Sequence, residues 1–179
     1  MLKISFIAPS CYGKSTAIKM LSDCYDLKNI KIAEPLYELQ SAFYRYINKE
    51  IEFEQDGELL QFLGAKIRKE NPAFLIDTFT NKVNASSTHE LITNDDCRPP
   101  DYIYLKKLGF KFVLINGFRR DRQDHTLSNS KSNLEWNEST VNYDYVLDNL
   151  GTIEEYHINI DNLMREIGVN EYVKRIKKK

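Results

Sequence analysis

The chain is 179 residues long, enough for one domain of ordinary size with a sizeable core. Its 25 basic and 26 acidic residues leave a formal charge of −1, so no global field draws it to nucleic acid or a membrane surface. Cys11, Cys24 and Cys97 show neither paired spacing nor metal-ligand spacing with His89, His125 or His157, which suits a reducing cytosol. No apolar stretch approaches the roughly 20 residues that span a bilayer, and no signal-peptide pattern opens the chain. The expectation is a cytoplasmic α/β protein with no membrane partner.

The first apolar run, Leu2-Lys3-Ile4-Ser5-Phe6-Ile7, reads as a buried strand over 2–7. It leads directly into Ala8-Pro9-Ser10-Cys11-Tyr12-Gly13-Lys14-Ser15-Thr16, the pattern G-x-x-x-x-G-K-[ST] with Ala8 in the first glycine position. In such a loop, successive backbone N–H groups and the N-terminus of the next helix wrap a nucleotide's phosphates. Lys14 then reaches the β/γ-phosphates, and the Ser15 hydroxyl is placed for Mg²⁺. Ala17-Ile18-Lys19-Met20-Leu21 continues as an amphipathic helix over about 14–24, so strand, loop and helix stand in the order a phosphate-binding loop requires.

A second strand is predicted at 30–33, followed by Ile32-Ala33-Glu34-Pro35-Leu36. Pro35 pushes Glu34 out of helical geometry and starts a helix, which places the Glu34 carboxylate at a strand end, where parallel sheets bind ligands. Helical patterns fill about 35–49, 57–69 and 72–84, the last opening at Pro72. A third strand, 90–94, ends in Asn94-Asp95-Asp96-Cys97-Arg98-Pro99-Pro100. Two carboxylates at a strand end suggest Mg²⁺ handling, and alternation lets at most one of them face the metal directly. Arg98 is a fixed-charge fork for a phosphate or carboxylate. A helix over 99–108 stops at Gly109, and strands follow at 111–116 and 144–147 with a last helix over 152–167. The stretch 117–138 is polar and opens Phe118-Arg119-Arg120-Asp121-Arg122; so long an irregular loop signals function or disorder. The basic tail 174–179 reads as a solvated end. Strands alternating with helices predict a three-layer α/β fold, a five-stranded parallel sheet flanked by helices.

Several of these segments together resemble a known family. Ala33-Glu34-Pro35-Leu36, Leu60-Gln61-Phe62-Leu63-Gly64-Ala65-Lys66-Ile67-Arg68, Asp96-Cys97-Arg98-Pro99 and Asn149-Leu150-Gly151-Thr152 look like deoxynucleoside monophosphate kinases of bacterial viruses and bacteria. They occur in the family's order across most of the chain. The sequence departs from the pattern at Ala8, Glu34 and Tyr37, and it is shorter than several members.

The resemblance implies a P-loop NTPase fold of the nucleoside monophosphate kinase-like kind. Residues 1–179 would make a single kinase domain, with acceptor-binding helices over about 35–84 and a lid loop over about 117–138. The implied activity is transfer of ATP's γ-phosphoryl group to a (deoxy)nucleoside monophosphate, with ATP and Mg²⁺ as cofactors. Ser10, Cys11, Tyr12, Gly13, Lys14, Ser15 and Thr16 would hold the donor phosphates, with Asn149 and Gly151 against the donor adenine. Ser15 and Asp96 would hold Mg²⁺. Glu34, Gln61, Arg68 and Arg98 would bind the acceptor, while Arg119, Arg120 and Arg122 would close as a lid. Lys14, Glu34, Asp96, Arg98, Arg119 and Arg122 carry the expected catalytic roles. A host-cell cytoplasm is expected if the protein is viral, and a homodimer stays open. Two alternatives also stay open. One is a kinase for a hydroxyl acceptor, such as a nucleoside or a hydroxymethylated pyrimidine in DNA, for which Glu34 would be the base. The other is a nucleotide-dependent binding protein without turnover.

Overall fold

A computed structural model of the chain describes residues 1–50, 55–117 and 142–169. These group into two compact units, one formed by Met1–Asn29 with the chain from Ser86 onward, the other by Ile30–Ala85.

The first unit holds a five-stranded sheet of β1 (Leu2–Ile7), β2 (Leu27–Asn29), β3 (Leu91–Asn94), β4 (Lys111–Gly117) and β5 (Tyr145–Asn149). Its order is β2-β3-β1-β4-β5, with every pair parallel. The central β1 is buried from Ile4 onward, as a strand covered on both faces must be. Alternation sorts its side chains. Ile4 and Phe6 join Leu91, Val113, Ile115 and Leu147 in a core closed by α1 (Lys14–Cys24) and α6 (Ile153–Glu166). Those helices supply Ala17, Ile18 and Leu21, and Tyr156, Ile160, Leu163 and Met164. Each large apolar side chain so buried contributes about 1.5–3 kcal/mol.

The opposite face carries Ile7, Ile92 and Phe112, also buried. Over it lies α5 (Tyr102–Lys107), whose Tyr102 ring sits 4.3 Å from that of Phe112. Helices thus cover both faces of the sheet, giving the three-layer α/β fold. Pro99 and Pro100 shorten α5, because the segment Pro99–Asp101 turns as a 3₁₀ helix first.

This layering positions the site. The chain leaves β1 toward α1 on one face and leaves the adjacent β3 toward α5 on the other. Neighbouring strands whose connections diverge in this way open a crevice at their carboxyl ends.

The second unit contains α2 (Glu34–Tyr46), α3 (Gly57–Glu70) and α4 (Phe74–Ala85). Asp56 caps α3 by accepting from Leu59 N–H at 3.0 Å. Its other carboxylate oxygen takes the Tyr44 hydroxyl at 2.7 Å, and its own N–H donates to the buried Gln40. The expected strand at 30–33 is not formed. β2 lies earlier, at Leu27–Asn29, with Leu27 opposite Leu91 and Asn29 opposite Thr93. β3 ends at Asn94, so a parallel partner beyond Asn29 has almost nothing left to pair with. Among the described residues, no helix is long and apolar enough to cross a membrane.

Candidate functional site

The loop between β1 and α1 is held in one shape by its own backbone and by two side chains from far along the chain. Ala8, in place of the usual glycine, is buried in the core cluster. Cys11 adopts φ 68° and Gly13 φ 98°, left-handed conformations of the kind from which anion-binding loops are built. Gly13 is the N-cap of α1; no side chain caps that helix, and its first turn carries no acid. The positive pole of the helix therefore faces the loop with no acid of its own first turn beside it.

Lys14 Nζ folds back to donate to the carbonyls of Ala8 (2.7 Å) and Pro9 (2.8 Å). Burial, and next to it the positive charge of Arg98, lower its pKa from 10.5 to about 8; Asp95, Cys11 and Asp96 pull the other way. Two cations held close enough to repel make a site that gains by taking up an anion. Ser15 and Ser10 are exposed, and Thr16 is half-buried.

The adjacent turn after β3 is fixed by a buried amide. Asn94 Oδ1 accepts from Ser5 Oγ (3.2 Å) and Cys97 N–H (3.0 Å), while its Nδ2 donates to Asp96 Oδ1 at 2.7 Å. Asp95 accepts from Asn29 Nδ2 at 3.3 Å, and Asn29 in turn accepts from Thr93 Oγ1 at 3.2 Å. Of the two adjacent carboxylates, Asp95 acts more strongly on Lys14. Asp96, expected as the metal carboxylate, has one oxygen engaged by Asn94. Burial, with Asp101 second, pushes the Cys97 thiol far above its ordinary range, so this cysteine is chemically quiet.

Among the described residues, no group of three His, Cys, Asp or Glu side chains could hold a metal unaided. Mg²⁺ is ordinarily bound by one or two carboxylates together with substrate phosphates. The hard oxygens of Ser15, Asp95 and Asp96 fit that manner of binding.

Asn149 and Gly151 lie where β5 passes into α6. Asn149 Nδ2 donates to the Tyr12 carbonyl at 3.0 Å. Gly151 precedes the capping box of Thr152 and Glu155, and a Cβ there would collide with the Glu155 carboxylate. The structure thus brings together Ser10 to Thr16, Asp96, Arg98 and Asn149 in the first unit.

Glu34, Gln61 and Arg68 belong to the second unit. Glu34 is not at the end of a strand: it opens α2, five residues past Asn29, the last paired residue of β2. There it pairs with Lys82 Nζ at 3.1 Å, and Lys82 also reaches Glu38 at 3.7 Å. Arg68 lies along α3 over Gly64, whose added Cβ would meet Arg68 Nη1 at 3.4 Å. Gln61 is exposed on the same helix. The expected lid residues Arg119, Arg120 and Arg122 lie outside the described residues.

Sequence reasoning missed Asn29, Asn94 and Tyr156. Asn29 and Asn94 belong to no motif, and Tyr156 reads as an ordinary core aromatic. The adjacent pair Asp95-Asp96 did carry a signal for Asp95.

Parallel strands in this order, a glycine-lysine-serine loop between β1 and α1, and carboxylates at the end of β3 define a P-loop α/β fold. No protein-family model and no curated protein matches the chain by sequence. Among solved structures it is similar to an unliganded sugar kinase from Janibacter sp. HTCC2649, with 14% identity and a TM-score of 0.49 over 94% of this chain and 95% of that one. It is also similar to a gluconokinase from Sinorhizobium meliloti 1021, with 11% identity and a TM-score of 0.43 over 96% and 98%. Likeness at this level carries no weight for reaction or acceptor.

Proposed function

We propose that the protein is an ATP-dependent kinase that transfers the γ-phosphoryl group to a (deoxy)nucleoside monophosphate. One observation carries the reading. The loop with left-handed Cys11 and Gly13, the two cations Lys14 and Arg98, and the carboxylates Asp95 and Asp96 meet at the carboxyl ends of β1 and β3, with Arg98, Asp95 and Asp96 all acting on Lys14. Cations for a polyphosphate beside carboxylates for its metal are the parts that phosphoryl transfer needs, since the reaction is largely positioning and charge stabilisation.

In this reading the loop amides and Lys14 hold the donor β/γ-phosphates, and Arg98 adds charge where the transferring group becomes most anionic. Ser15 and Asp95 or Asp96 hold Mg²⁺, which when bound neutralises the polyphosphate. Arg68 is the residue assigned to the acceptor phosphate and Gln61 the one assigned to its base. The monophosphate acceptor is supported by the motif series through Gln61, Arg68, Asp96 and Arg98. The Glu34 carboxylate, which a hydroxyl acceptor would need as its base, pairs through one oxygen with Lys82.

Labelled ATP offered with nucleoside monophosphates, nucleosides and hydroxymethylated DNA tests the acceptor. Monophosphates should be labelled and nucleosides should react poorly. Equal labelling of nucleosides would install the hydroxyl reading, and ATP binding without any transfer would make the protein a nucleotide-dependent binder. Glu34→Gln sharpens the distinction. A phosphate acceptor keeps the acidic limb of its pH–rate profile from its own second ionisation near about pH 6, whereas a hydroxyl acceptor loses that limb and roughly 10²–10⁴-fold in rate.

A further inference from the structure

The β5–α6 segment holds the phosphate loop at two consecutive carbonyls. Asn149, 4% exposed, donates Nδ2 to the Tyr12 carbonyl at 3.0 Å. Tyr156, 1% exposed, donates its hydroxyl to the Gly13 carbonyl at 3.2 Å from one turn into α6. These donors come from 137 and 143 residues further along the chain. Tyr12 and Gly13 are the peptides at which the loop reverses into α1, and Gly13 sits at φ 98°, where backbone is easily lost to other conformations. The fit is close on the other side too, since a Cβ on Gly13 would run into Asn149 Nδ2.

Resting on the donor-site reading above, we propose that Asn149 and Tyr156 are positioning residues that set the phosphate loop in its anion-binding shape. On this assignment the Asn149 carboxamide serves donor binding through the loop, not by reading the base. The physical reason lies in what a carbonyl bond does to the peptide that follows. A trans peptide sets its carbonyl and the next N–H on opposite sides, so holding the Tyr12 carbonyl toward Asn149 turns the Gly13 amide the other way. Tyr156 adds a second donor to the Gly13 carbonyl, which already takes the first α1 bond from Ala17 N–H at 2.9 Å. A loop so fixed loses less conformational freedom when the anion arrives.

The base-free anion tripolyphosphate separates this role from base recognition, because it occupies the phosphate subsites and has no adenine. Tyr156→Phe removes one hydroxyl and keeps the ring in the core; Asn149→Ala removes the amide donor. Dissociation constants for ATP and tripolyphosphate should rise by the same factor within each variant, about two- to tenfold for Tyr156→Phe and about tenfold or more for Asn149→Ala. The ATP-to-GTP preference should be unchanged, measured below a melting temperature recorded for each variant. A purely structural role would move the melting temperature and leave both constants alone, which would overturn the proposal. So would a loss for ATP with tripolyphosphate unaffected, because Asn149 would then contact the base. Wild-type protein that binds neither ligand would instead remove the donor site, and this role with it.

Discussion

Lys14 shows how one residue's surroundings set its chemistry. A lysine near pKa 8 keeps its charge at neutral pH but gives it up within reach of ordinary buffers. Two consequences follow, with opposite signs. Folding depresses this pKa from 10.5, so the unfolded chain binds the extra proton and stability rises with pH between about 8 and 10.5. Below pH 8 the lysine is charged in both states, and the full burial cost is present. Nucleotide affinity runs the other way: above pH 8 the free protein must take up a proton to present an ammonium, so ATP binding should weaken by up to about tenfold per pH unit. The nucleotide's own phosphate titrates near about pH 6 and leaves this window clear. Calorimetry from pH 7 to 9.5 on wild type and Lys14→Met checks it. The wild type should show the slope and the variant a weak, flat affinity; a flat wild-type profile would remove Lys14 from the phosphate site.

At the scale of an element, α3 depends on how it begins. The Asp56 carboxylate accepts the Leu59 N–H and the Tyr44 hydroxyl, in that order of importance, and these hold its pKa below the usual carboxylate value. A depressed carboxylate pKa contributes stability that is present above the unfolded value and lost as pH falls through the folded one. Asp56→Ala should therefore cost about 1 kcal/mol at pH 7. The gap between wild type and variant should narrow toward pH 3, as read by denaturant titration at both pH values. An equal gap at the two would mean that Asp56 acts through something other than its charge. Because α3 carries Gln61 and Arg68, the same change should disturb acceptor use before donor use.

At the scale of the whole molecule, the roles sort by unit. Residues proposed for the donor lie in Met1–Asn29 and the chain from Ser86, and Gln61, Arg68 and Glu34 lie in Ile30–Ala85. Steady-state kinetics should follow that division. Arg68→Ala should raise the acceptor KM at least about tenfold and leave the ATP KM within about twofold, because a bound phosphate loses its charged fork. Lys14→Ala should do the reverse and also lower kcat. Equal effects of Arg68→Ala on both substrates would give that arginine a structural role.

What was legible in the amino-acid order was what depends on neighbours in the chain. Periodicity and the glycine-lysine-serine spacing located β1, the loop, α1 and the final helix to within a residue or two, because hydrogen bonds four residues apart and the turn itself are local. Where Ile30-Lys31-Ile32 alternates like a strand, local pattern misled. Strand pairing is decided by what lies alongside, and β3 ends too soon to pair that far. The candidate site divides the same way. Lys14 and Ser15 are written in a motif, and Asp95 and Asp96 stand at a recognisable strand end. That Asn94 engages Asp96, Asn29 supports Asp95, and Asn149 and Tyr156 grip the loop depends on contacts 64 to 143 residues apart, apart from the Asn94 turn. Side-chain hydrogen bonds of that span leave no periodic trace in a sequence, and only the packing of β5 and α6 beside the loop creates them.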